Sequence, residues 1–71
     1  MPSACPQRKA LQHDANAILQ QIIDLTRLQI DALSINDQSR LLTLDKQLEK
    51  KFGEKERAFG ALRQHAKEHG C

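Results

Sequence analysis

Seventy-one residues with two Phe, no Trp or Tyr, and 11 basic against 9 acidic side chains describe one small domain of nearly balanced charge. A net charge of +2 is too mild to imply nucleic acid by itself, and a stacking platform for single strands needs more rings than two Phe supply. No stretch provides the about 20 mostly apolar residues of a membrane span, because the longest charge-free apolar run, Ala15 to Ile23, is broken by Asn16, Gln20 and Gln21.

Both prolines fall in the first six residues, and the rest of the chain is rich in Ala, Leu, Gln, Lys, Glu and Arg, the good helix formers. Met1 to Lys9 contains no apolar core of a secretory signal, so the expected location is the cytoplasm. Residues 1–4 read as a disordered tail. Cys5-Pro6 reads as a helix start, since proline at the first helical position lacks an N–H that would be unpaired there anyway. Arg8 and Lys9 oppose the helix dipole at that end.

The first helix is expected over about 6–33. Leu11, Ala15, Ile18, Ile22, Leu25 and Ala32 recur at helical spacing, with Gln29 as a polar gap. A second row follows one residue later: Leu19, Ile23, Ile30 and Leu33, with Asn16 and Thr26 among them. The apolar face is therefore wider than one partner helix covers, and a two-helix seam needs only the narrower stripe.

Ser34 to Asp37 breaks the pattern. Ser, Asn and Asp compete with the backbone for hydrogen bonds and favour caps and turns. The turn is placed at 34–37, with Ser34 or Asn36 as the cap of the second helix and Asp37 in its first turn. The second helix is expected over about 37–69, with the stripe Leu41, Leu44, Leu48, Phe52, Phe59, Leu62 and Ala66, Lys55 inside it and Leu42 off it. Gly53 and Gly60 lie seven residues apart on one face, either for close approach of another helix or as tolerated surface glycines. Lys46 to Arg57 alternates in sign, as a solvated helix face does, with Lys50 and Glu54 as an i,i+4 pair. Gly70 has the character of a helix C-cap.

The expected fold is an all-α, antiparallel two-helix hairpin. A single core this small rarely suffices without staples or oligomerisation, so the hairpin is expected to dimerise into a four-helix bundle. If residues i and about 70−i are level across the hairpin, Cys5 lies near His65. His65 and His69 at i,i+4 share a helix face. With Cys5 and Cys71 they would complete a tetrahedral Cys2His2 zinc set. A Cys5–Cys71 disulfide is the alternative, and closing its loop of about 67 residues would contribute roughly 4 kcal/mol; reduced thiols with dipole-favoured histidines are the third.

No phosphate loop, nucleophile motif or paired-carboxylate pocket is legible, so no catalysis is expected. The function expected first is a non-enzymatic hairpin acting through self-association and binding to another protein. In size and hairpin shape the chain resembles the Rop family of RNA-binding four-helix bundles. The resemblance lies in architecture alone and carries no residue motif. It implies the alternative of a nucleic-acid-binding dimer, for which Lys46, Lys50, Lys51, Lys55 and Arg57 are the candidate contacts. A metal-binding or redox-responsive protein using the terminal Cys and His residues is the third expectation.

Overall fold

A computed structural model describes residues 6–69. Two helices, α1 (Pro6–Ser34) and α2 (Gln38–His69), pack side by side in opposite directions, with no strand among the described residues. Their bounds fall within one residue of those expected from the periodicity. Residues 1–4, Cys5, Gly70 and Cys71 lie outside the described residues, as do the tail, cap and terminal thiols assigned to them.

The turn is made by two interlocking caps. Asn36 takes a left-handed φ of 57°, which Asn tolerates better than most side chains. Its N–H donates to Leu33 O at 3.0 Å and that of Asp37 to Ala32 O at 2.9 Å. This is the Schellman pattern, which satisfies the last carbonyls of α1. The Asp37 carboxylate then accepts the N–H of Arg40 at 3.1 Å, and its carbonyl accepts the N–H of Leu41 at 3.1 Å. Asp37 is therefore the N-cap of α2. This corrects the expectation of Ser34 or Asn36: the Ser34 hydroxyl donates to Asp31 O at 2.7 Å, and Asn36 is occupied as the C-cap residue of α1. Neither helix has an acidic residue in its first turn, so Asp37 supplies the negative charge at the start of α2 from just outside it.

The seam follows a heptad in both helices. On α1, Leu11, Ala15, Ile18, Ile22, Leu25, Gln29 and Ala32 are buried or half-buried, in steps of four and three. On α2 the corresponding row is Leu41, Leu44, Leu48, Lys51, Lys55, Ala58, Leu62 and His65. The first row is the expected stripe. The second departs from it beyond Leu48: Phe52 and Ala66 are exposed, and Lys51, Ala58 and His65 take the seam. Hydrophobicity pointed to the phenylalanines, but continuing the seven-residue step from Leu44 and Leu48 leads to Lys51 and Lys55. Lysine is tolerated there because its stem packs while its ammonium reaches outward. Lys51 Nζ lies 3.2 Å from Glu54 Oε1, and Lys55 Nζ lies 5.7 Å from the centre of the Phe59 ring. The expected Lys50–Glu54 pair is replaced by Lys51–Glu54.

Ser34 and Gln38 flank the turn, and the alternating steps of the two rows fall into register when paired positions sum to 73. Ala32 then shares a layer with Leu41, Leu25 with Leu48, and Ala15 with Ala58. Among the described residues full burial is confined to Ala15, Ala32, Leu44 and Leu48. The molecule measures 54 × 16 × 10 Å between Cα extremes, with a radius of gyration of 16.2 Å; a compact domain of this length would have about 11 Å. The hairpin is one helix thick, so both broad faces meet solvent. No described helix is long and apolar enough to cross a membrane.

Candidate interaction face

The two broad faces differ. Each right-handed helix turns about 100° per residue, and α2 runs opposite to α1. The residue following each seam position is thereby carried to the same broad face on both helices. That face receives Ile23, Ile30 and Leu33 from α1, at 44%, 61% and 65% exposure, and Leu42 and Phe52 from α2, at 66% and 48%. Half-buried Leu19 and Phe59 extend it. Among the described residues only Leu28 and Ile35 of the exposed large apolar side chains lie elsewhere, Leu28 on the other face and Ile35 in the turn.

The residue preceding each seam position falls on the opposite face, which is polar. There α1 contributes Asp14, Asp24 and Asp31 and α2 contributes Arg40, Lys50 and Arg57, all exposed. Acids on one helix run beside bases on the other, which suits a solvated surface.

The apolar face is broken by charge at Asp45, Glu49 and Glu56 of α2, while Arg27 lies on the back of α1. Among the described residues none of these side chains forms an ion pair within the hairpin. Thr26 sits at its centre, and its hydroxyl donates to Ile22 O at 2.7 Å. That internal bond leaves no unpaired donor on the surface. The charged residues were legible only with α2 in heptad register, where Leu42, Glu49 and Glu56 form one row and Asp45, Phe52 and Phe59 the next.

The five candidate nucleic-acid residues are dispersed. Lys51 and Lys55 sit half-buried at the seam, Lys50 and Arg57 lie on the polar face beside the α1 carboxylates, and Lys46 is on the back of α2. No single stripe joins them, whereas phosphate recognition favours one clustered basic surface.

Of the terminal set, His65 is a half-buried seam residue and His69 ends α2 at the next position of the same row. Register places Arg8 level with His65, a shift of about three residues from the expected pairing, roughly 4.5 Å. Among the described residues no group of three His, Cys, Asp or Glu is placed to hold a metal; the two cysteines lie outside them. A shallow depression over Gly60, Arg63, Gln64, Lys67 and Glu68 is bounded by α2 alone, so it offers no enclosed volume to a small ligand.

Gly53 and Gly60 lie on the back of α2. A Cβ built on either meets only an arginine tip, Arg57 Nη1 at 3.8 Å or Arg63 Nη2 at 3.9 Å. Packing within the hairpin therefore does not require glycine at either place. Comparison with protein families, with curated proteins and with solved structures finds no match for the chain, so the reading of this face rests on the chain's own geometry.

Proposed function

We propose that the protein is a non-enzymatic helical hairpin that works through self-association, burying its apolar face against a second copy in a dimeric four-helix bundle. The carrying observation is the segregation of Ile23, Ile30, Leu33, Leu42 and Phe52 onto one side of a layer one helix thick. A domain normally needs two packed layers to hide such a face, and a second hairpin supplies the missing one. Binding to another protein would then use the outer surface of the bundle.

Sedimentation equilibrium at micromolar concentration is the test. A mass twice that of the chain is expected, and Leu42→Glu should shift it toward the monomer by placing a carboxylate in the apolar face. A fully helical monomer at that concentration would defeat the reading.

Closure of the open end by zinc on Cys5, His65, His69 and Cys71 belongs to the same proposal. Its support is the shared seam row of His65 and His69 at the end where α1 begins. Metal content of untagged protein, purified without added zinc, tests it. One zinc per chain is the expected value, and a mass lower by two hydrogens would indicate the disulfide instead.

A further inference from the structure

The seam changes character along its length. In the register already described, the layers nearest the turn are Ala32 with Leu41, Gln29 with Leu44 and Leu25 with Leu48. Ala32, Leu44 and Leu48 are buried there, at 1%, 5% and 5% exposure. The hydrogen bonds of Asp37 tie both helices together at this end. Beyond Leu48 the layers are Ile22 with Lys51, Ile18 with Lys55, Ala15 with Ala58, Leu11 with Leu62 and Arg8 with His65. Among the described residues of this open half only Ala15 is fully buried, at 5% exposure.

Several features weaken the open half, each by its own route. Lys51 and Lys55 occupy seam positions where an apolar side chain would pack across to α1. Their head groups go instead to Glu54 at 3.2 Å and to the Phe59 ring at 5.7 Å, contacts made within α2 that join nothing between the helices. The layer of Ala15 and Ala58 brings together two methyl groups, which bury little apolar area. Gly53 and Gly60 both lie in this part of α2, and each lowers helix stability about fivefold relative to alanine. Arg8 and Lys9 stand at the start of α1, against its dipole. None of these features falls between Leu25 and Leu48.

Proteins open first where buried apolar contact is sparse, in contiguous cooperative units. We propose that the open half, residues 8–20 with 53–67, parts at the seam as one unit while the turn half stays closed, and, resting on the zinc reading above, that metal at the chain ends is what holds it shut. Parting uncovers half-buried Leu11, Ile18 and Leu62. A metal held beside His65 and His69 sits at the far limit of this unit. The unit is then fixed at both limits, by the turn half at one and by the metal at the other. Access to its seam follows metal supply, whereas the packing of the turn half does not.

Amide hydrogen exchange, read residue by residue by NMR on the full chain at one protein concentration, tests this in EDTA with a reducing agent. Amides of 12–20 and 53–67 should share one level of protection, about tenfold or more below that of 25–32 and 41–48. Gly60→Ala should slow exchange about fivefold throughout 53–67 and leave the turn half unchanged. Protection that climbs smoothly from the chain ends to the turn, with Gly60→Ala felt only by its neighbours, is end fraying and overturns the proposal. Equal protection of the two halves overturns it as well. One equivalent of zinc chloride is then added with the EDTA removed. Slowing confined to the open half supports closure by metal. Native mass spectra of the same samples divide the remaining outcomes: zinc that does not bind removes the zinc reading and leaves the opening standing, and zinc that binds without slowing exchange overturns its closing role.

Discussion

The backbone N–H of Asp37 donates to the carbonyl of Ala32 at 2.9 Å, so the residue that caps α2 also closes α1. The two helices share their boundary and have little freedom to slide. Asp37→Ala should therefore cost about 1 kcal/mol through loss of the cap to Arg40, and Asp37→Asn much less. Asn36→Ala should cost a further ~1 kcal/mol through its left-handed backbone, while Asn36→Gly should be neutral or stabilising. Chemical denaturation at one fixed protein concentration would rank the four variants, with the concentration held because dimerisation couples to folding.

The seam holds polar residues at positions that favour apolar ones. Gln29 is half-buried in the layer of buried Leu44, so Gln29→Leu should raise stability by about 1–2 kcal/mol. Lys51→Leu should gain about 1 kcal/mol, because the Lys51–Glu54 pair it removes is partly solvated and contributes at most ~1 kcal/mol. Midpoints of urea unfolding would show both gains. A loss in either variant would mean that the polar group sets the register, a role known for buried polar seam residues.

Gly53 and Gly60 lie on the back of α2, where an added Cβ would make only ordinary contact with a flexible arginine tip. Alanine at each should stabilise the helix by about 1 kcal/mol, and the association constant should stay unchanged because the back of α2 is outside the proposed interface. Paired thermal melts and sedimentation runs check this. Stabilisation with loss of the dimer would place the interface on the back of the helix instead.

Cys71→Ser examines the open end. If zinc closes it through His65 and His69, the variant loses the metal and more stability than the ~0.5 kcal/mol typical of a surface change. Native mass spectrometry beside a thermal melt reads both quantities, and an unchanged melt with no bound zinc in either protein would end the zinc proposal.

Both helices, their antiparallel pairing and their boundaries to within one residue were legible in the chain. Their signal is local: apolar periodicity interrupted once by Ser34, Ile35, Asn36 and Asp37. The α1 seam was legible because apolar side chains occupy every one of its heptad positions but Gln29. The distal α2 seam was not, because Phe52 and Ala66 are more apolar than the Lys51 and His65 that occupy it. Side-chain hydrophobicity was a poor guide there, and the step continued from Leu44 and Leu48 was the better one.

The amino-acid sequence alone determined two amphipathic helices, a polar break between them and more apolar surface than one seam absorbs, since all three follow from residue type and spacing. The choice of Asp37 over Ser34 or Asn36 as cap, the layers formed at the seam and the gathering of Ile30, Leu33, Leu42 and Phe52 on one side were decided only in three dimensions. The reason is the reversal of direction at the turn. It carries the residues that follow the seam on both helices to a common face, a relation between positions far apart in the chain.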